Sequence, residues 1–342
     1  MFVLRIEGKT LNEKQVYTIE DVARELGISK TTVSRAISGK GRLSAQTRKR
    51  VLDFIAEHNF RPNAVARSLA QSRTFNLGLV LPGDRRDIDT AFFHECMMGI
   101  CQIATEHDYD VLVAMDNDQS THQLERILDN RKVDGVILAR STDHSALQAV
   151  LKSRGIPSVV VGYTPEPGMI YVDNSNREGC RDLTALLISR GLRRLALLGG
   201  DLSYTVNQSR LQGFRDACLQ AGLPWEEQVV EMDMDSAKVA DAVAKSVERG
   251  VECILCTDDF ICNLALPQLR EQGVQIPRDI KVASFYDNNL LEHILPSVSS
   301  LRFDAVELGR TACRELLNLL EGRRAQSRVL PGYQMFLRDS TK

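Results

Sequence analysis

The chain has 342 residues, 43% of them apolar and 26% charged, proportions of an ordinary globular protein that exclude a disordered or fibrous chain. Its length suits two or three globular units; no run approaches the roughly 18 apolar residues of a membrane span, and the start lacks the apolar core and small-residue cleavage site of an export signal, so a cytoplasmic protein is expected. The net charge of -2 hides an asymmetry: residues 17–73 carry 11 Lys and Arg against 5 Asp and Glu, whereas residues 74–342 carry 29 against 38.

A basic head on an acidic body points to a polyanion-binding module carried by a second functional unit. Residues 1–16 are expected to form a disordered extension without an assigned role. From Thr18 the chain reads as a short helix with Thr18 as N-cap, Glu20 and Asp21 in the first turn, an apolar face of Ile19, Val22, Ala23 and Leu26, and Gly27 as the stop. Ser29 can cap a second helix over 30–37, with Val33, Ala36 and Ile37 turned inward and Lys30, Thr31, Thr32, Ser34 and Arg35 outward. A third helix runs from the Ser44 cap to about His58, with Thr47, Val51, Leu52 and Ile55 near its inner stripe. Two short helices joined by a Gly-containing turn make the motif whose second helix enters the DNA major groove.

The runs YTIEDVA (17–23), GISKTTVSR (27–35) and NFRPN (59–63) resemble the head of the lactose/galactose repressor (LacI/GalR) family. The resemblance implies base-reading side chains at Lys30 and Thr31, with Thr32, Ser34 and Arg35 on backbone or neighbouring bases and Thr18 in the same DNA-facing set. Lys30 suits guanine acceptors, and the Arg35 fork suits guanine or phosphate. Head boundaries of 17–60 and a hinge with linker over 61–74 follow. In the hinge, Pro62, a capping Asn63 and small residues including Ala66 favour a helix too short to stand alone. By resemblance it folds on the operator and inserts Leu69 between base steps.

Behind the head, apolar runs at 77–81, 110–114, 135–139, 158–161, 195–198, 253–256 and 282–285 alternate with helix-length amphipathic segments, the pattern of βαβ units. Together with pieces such as GVIL (135–138), ALLGG (196–200) and SFYD (284–287), they resemble the periplasmic-binding-protein-like body of the same family: an all-α helix-turn-helix head plus an α/β body of two doubly wound parallel-sheet lobes. Lobe one is expected over about 75–174 plus 304–330, and lobe two over about 175–303 plus 331–342. Ligands of open α/β sheets bind beyond the carboxyl ends of the strands. There the resemblance places Phe93, in the loop after the first strand, as a stacking aromatic and Arg210 as a fork on effector oxygens. Asp258, Asp259 and Asp287 are strand-end carboxylates suited to hydroxyls or amines, Asp287 being the strongest expectation of the three; Asp258 aligns with the family's polar contact, while Asp259 could instead cap the following helix. Where many relatives carry a second aromatic, this chain has Met234 between Asp233 and Asp235, and its thioether can pack on the ring. Gly162 replaces an acidic or amide side chain of some sugar-binding relatives.

The eight cysteines are scattered and read as reduced, buried thiols; the pair Cys253 and Cys256 lacks the second pair or histidines of a zinc site. No phosphate loop, nucleophile elbow or dinucleotide fingerprint is present, and no cofactor is called for. The expectation is a non-enzymatic transcription regulator, a repressor by resemblance, switched by a small-molecule effector with a sugar or sugar derivative favoured. It binds near-palindromic operator DNA as a homodimer, since two heads meet two half-sites and the C-terminus has no leucine heptad tail. The alternative is an α/β enzyme with an appended DNA-binding head.

Overall fold

The structure, a computed structural model, describes residues 18–38, 42–58, 73–83 and 91–342. The expectations for the 1–16 extension and for Asn63, Ala66 and Leu69 of the hinge lie outside these residues. The chain forms two compact units that divide between Arg73 and Thr74.

In the first unit, α1 (Ile19–Leu26) opens on a reciprocal capping box: Asp21 N donates to Thr18 Oγ1 at 3.2 Å, and Thr18 N donates to Asp21 Oδ2 at 2.9 Å. Gly27 ends the helix at φ 66°, a left-handed conformation that glycine adopts without a Cβ penalty. Ser29 Oγ accepts from Thr32 N at 3.1 Å at the start of α2 (Lys30–Ser38), and Ser44 caps α3 (Ala45–Glu57). Val22, Ala23, Val33, Ala36 and Val51 form the buried centre, ringed by Ile19, Leu26, Ile28, Ile37, Leu43, Phe54 and Ile55. Leu52, expected on the inner stripe, is instead 44% exposed: α3 meets the core along the line through Val51, Phe54 and Ile55, which leaves Leu52 on the flank.

The second unit is an α/β body built on two six-stranded sheets. The first holds β1 (Asn76–Pro82), β2 (Asp110–Asp116), β3 (Gly135–Leu138), β4 (Ser158–Val161), β5 (Ile170–Asn174) and β11 (Arg328–Leu330), all parallel, in the order β11-β5-β4-β3-β1-β2. Helices α4 (Ala91–Glu106), α5 (His122–Asp129), α6 (Ala146–Ser153) and α12 (Ala305–Leu320) cover it. The second sheet holds β6 (Leu195–Leu198), β7 (Val229–Glu231), β8 (Cys253–Cys256), β9 (Lys281–Ser284), β10 (Ser299–Arg302) and β12 (Gln334–Phe336) in the order β12-β10-β9-β8-β6-β7, parallel except for β12 against β10. Around it lie α7 (Asn176–Ser189), α8 (Thr205–Gln220), α9 (Lys238–Glu248), α10 (Asp259–Glu271) and α11 (Asn289–His293). Every residue of β3, β4, β6 and β8 is buried, as sheets covered on both faces require.

The chain crosses between the lobes three times: after β5, between β10 and α12, and between β11 and β12. The seven apolar runs became β1, β2, β3, β4, β6, β8 and β9. The lobes also touch at the mouth between them, where Asp143 N donates to the Ser203 carbonyl at 3.0 Å and Thr205 Oγ1 to the Tyr163 carbonyl at 2.8 Å.

Candidate functional site

On the head, the outer face of α2 presents Lys30, Thr31, Ser34 and Arg35 exposed and Thr32 half-buried, because Val33 and Ala36 occupy the inner face. Lys30 pairs with Glu20 of α1. Thr32 shares a 2.9 Å hydroxyl contact with Ser29, so the start of the helix is fixed by its own side chains. Thr18, exposed at the start of α1, spends its hydroxyl on the capping box. The outer face of α2 thus carries hydroxyls and cations, groups able to hydrogen-bond base edges and phosphates.

In the body, the carboxyl ends of both sheets face a cleft of about 710 Å³. Phe93, Arg210, Met234 and Asp258 all line it, so four of the five expected effector residues are brought together. Phe93 lies in the first turn of α4 rather than in a loop, 7% exposed and edge-on to Phe92 at 5.2 Å between centroids. The Arg140 guanidinium is stacked 4.1 Å from the Tyr204 ring centroid and 5.1 Å from that of Phe93. Arg210 projects from α8, 8% exposed, with Nη1 3.7 Å from Asp258 Oδ2 and no hydrogen-bond partner at Nε. One helical turn earlier, Asn207 donates through Nδ2 to the Asp201 carbonyl at 2.9 Å while its buried Oδ1 has no partner. Met234 is buried against the core of lobe two as well as lining the cleft.

Asp287 is the expected residue that the structure places elsewhere. Its side chain is fully buried off the cleft wall, accepting from Ser300 Oγ at 2.6 Å and from Arg338 at 2.7 and 3.0 Å, with Arg302 Nη2 at 2.6 Å. Burial alone would raise its pKa, but the Arg338 and Ser300 hydrogen bonds and the two guanidinium charges outweigh it and hold the carboxyl below its usual value. The preceding residue, Tyr286, takes the place at the cleft, 5.9 Å edge-on from Phe92. The capping expectation is likewise reversed: Asp258 caps α10, accepting from Ile261 N at 2.9 Å, and Asp259 is the more buried carboxylate, bound by Asn288.

Two carboxyls at the cleft are strained by their surroundings. Burial pushes Asp173, at the end of β5, up to about 6, against hydrogen bonds from the Asn174 and Tyr163 backbones. Burial and then the neighbouring Asp258 charge push Asp259 up to about 6 as well. Asp173, Asn207, Tyr286, Arg140 and Tyr204 were not singled out from the sequence. The rule that ligands sit at strand ends reaches Arg140, which follows the β3 run, but Asp173 ends a strand too polar to be read as one.

Comparison with protein-family models matches residues 18–63 to "Bacterial regulatory proteins, lacI family" and residues 184–341 to "Periplasmic binding protein-like domain". The chain carries a LacI-family DNA-binding domain and a periplasmic-binding-protein-like domain. With these it is a DNA-binding transcription regulator. Catabolite control protein A of Staphylococcus xylosus is 29% identical over 306 residues, 87% of this chain and 91% of its own. The HTH-type transcriptional regulator RegA of Clostridium saccharobutylicum is 29% identical over 311 residues, 89% of this chain and 92% of its own. Among solved structures, the transcriptional regulator CelR in complex with cellobiose shares 29% identity with a TM-score of 0.72, covering 95% of this chain and 99% of that one. The lac repressor dimer bound to operator and the anti-inducer ONPF, at 23% identity, a TM-score of 0.78 and coverage of 96% and 99%, shows the same fold. Among the described residues no group of His, Cys, Asp and Glu could hold a metal ion and no helix is long and apolar enough to cross a membrane. All eight cysteines are free, and only Cys101 is not fully buried.

Proposed function

We propose that this LacI-family regulator is a cytoplasmic, non-catalytic repressor whose affinity for a near-palindromic operator is set by a sugar or sugar derivative bound between the two lobes of its body. The observation that carries the reading is the cleft itself, at the carboxyl ends of both sheets, where the side chains of Phe93, Tyr204 and Tyr286 and the buried donor fork of Arg210 line one cavity, a combination of apolar faces and convergent polar groups that suits a small polar ligand. The relative CelR, whose solved structure is a complex with cellobiose, supports a carbohydrate as the ligand.

On DNA, Lys30 and Thr31 read bases, Thr32, Ser34 and Arg35 hold neighbouring bases and phosphates, and Thr18 fixes the entry of α1. Two copies are required because one head spans one half-site. In the cleft, Phe93 and Met234 contact the ring, while Arg210 and Asp258 bind its oxygens. Asp287 is assigned a structural role instead.

The test is operator selection from fragments of the source genome, followed by fluorescence anisotropy with and without carbohydrates. Arg35→Ala lowers specific affinity by about tenfold or more, the cost of one bidentate base contact, and leaves carbohydrate binding unchanged. No selected fragment, or equal affinity of wild type and Arg35→Ala for the selected one, would remove the reading of α2.

A further inference from the structure

The first turn of α1 holds two carboxylates with different partners. Asp21 is spent on the capping box with Thr18 and on Arg24. Glu20, beside it, is turned instead to Lys30, the first residue of α2 and so at the end of a recognition helix that meets base edges. The Lys30 amine and the Glu20 carboxylate pair between the two helices while both side chains stay open to solvent, 61% and 64% exposed. An exposed pair of this kind contributes little to holding a fold, and the three helices already close on the buried centre of Val22, Val33 and Val51. What the pair changes is the surface that DNA meets.

A lysine alone is a point charge drawn to any phosphate. With Glu20 against it, the same spot presents a donor next to a group that only accepts. Phosphate oxygens offer acceptors and negative charge, so the backbone repels this carboxylate and gives it nothing to bind. Its donor has to be the exocyclic amine of a base. In the major groove a G·C pair shows the guanine N7 and O6 acceptors and, next to them, the cytosine N4 amine. Lysine suits the first two and a carboxylate suits the third, so one base pair serves both side chains while they stay in contact. In an A·T pair the amine stands between two acceptors, adenine N7 and thymine O4, and a carboxylate placed on it faces one more oxygen.

We infer that Glu20 is a specificity-determining residue of the head, accepting a hydrogen bond from the N4 amine of a cytosine whose guanine partner is read by Lys30. The inference rests on the reading of α2 as the base-reading helix and adds to it a residue of α1. Its test uses the full-length protein and the operator obtained by selection, with base analogues placed one at a time at each G·C pair of the half-site. Pyrimidin-2-one in place of cytosine removes the N4 amine and leaves the guanine acceptors; 7-deazaguanine in place of guanine removes N7 and leaves the amine. In fluorescence anisotropy at fixed salt, the wild type is expected to lose about fivefold or more at one pair when the amine is removed, the cost of one hydrogen bond to a charged acceptor. Glu20→Ala is expected to lose nothing there and to keep the response to 7-deazaguanine. The analogue weakens base pairing equally for every protein, so the difference between wild type and variant reports the contact itself. Glu20→Gln, which keeps the side chain's length and removes its charge, is expected to show a smaller loss than the wild type and carries the comparison if Glu20→Ala disturbs α1. A wild type that responds to no missing amine, a Glu20→Ala variant that responds as the wild type does, or one that loses both responses and so marks Glu20 as a positioning residue for Lys30, each overturns the inference. Lys30→Ala, made in parallel, separates it from the reading of α2: if Lys30→Ala loses the response to 7-deazaguanine, only the role of Glu20 falls, whereas if both variants keep every wild-type response, the base-reading role of Lys30 falls with it.

Discussion

The two acidic residues whose roles changed most between sequence and structure, Asp259 and Asp287, differ in what burial does to them. Asp287 is compensated by two arginines and a serine, so it serves the fold. Asp259 is bound by Asn288 and helped by its own backbone N–H and the more distant Arg210 charge, but it sits beside Asp258, and its carboxyl is pushed up to about 6 by burial and then by that neighbouring charge. A folded-state value above the unfolded one near 4 means that the folded protein binds this proton more tightly. Stability contributed by the proton is present at low pH and is lost as pH rises through about 6. Asp259→Asn keeps an acceptor for Asn288 and removes the buried charge. Without ligand, it is expected to melt a few degrees above wild type at pH 7.5, corresponding to on the order of 2 kcal/mol, with the difference shrinking toward zero near pH 4. Thermal melts of both proteins across that range decide the matter; a constant difference at all pH values would mean that the charge is not the cause.

At the scale of elements, each lobe is held by a pair of helices in close approach. On α4 and α12, Gly99 and Gly309 face each other's backbones: a Cβ at Gly309 would overlap the Cys96 carbonyl oxygen, and one at Gly99 would overlap that of Val306. Gly213 brings α8 against the Arg177 carbonyl of α7 in the same way. Because the obstacle is backbone, it cannot rotate aside. Gly309→Ala therefore forces the helices apart and destabilises lobe one by about 3 kcal/mol or more, the upper range of overpacking, while leaving the head's own core untouched; denaturant unfolding at the wild-type midpoint tests this. The same elements mark how far the sequence could be read. Strands β3, β4, β6 and β8 were legible because burial on both faces leaves an uninterrupted apolar run bounded by turn residues. Strands β11 and β12 escaped because each has only three residues and pairs at a sheet edge, and β5 because Asp173 and Asn174 end it in polar groups. The site was legible through Phe93 and Arg210, whose surroundings resemble the family. Asp287 was misread because strand-end position does not fix which way a side chain turns, and its partner Arg338 lies 51 residues further along the chain.

For the whole molecule, an effector can shift an equilibrium between lobe arrangements only by the difference in its affinity for them. The lobes meet through Asp143 N on the Ser203 carbonyl, Thr205 N on the Ser141 carbonyl at 3.3 Å, and Thr205 Oγ1 on the Tyr163 carbonyl. These bonds exist only when lobe two sits against lobe one, so they set how much of the switching free energy is left for the effector to supply. Thr205→Val preserves the shape of the side chain and removes one of them, which is worth about 1 kcal/mol, or about fivefold in the equilibrium between arrangements. Since Thr205 also lines the cleft, a change in effector affinity alone would not separate contact from coupling. Operator affinity measured without effector does separate them, because no ligand contact is involved. Thr205→Val is expected to change that affinity up to fivefold, in the direction opposite to the change produced by adding effector to the wild type. If the variant binds effector more weakly while its effector-free operator affinity equals that of the wild type, Thr205 acts on the ligand alone and the contact between the lobes has no part in the switch.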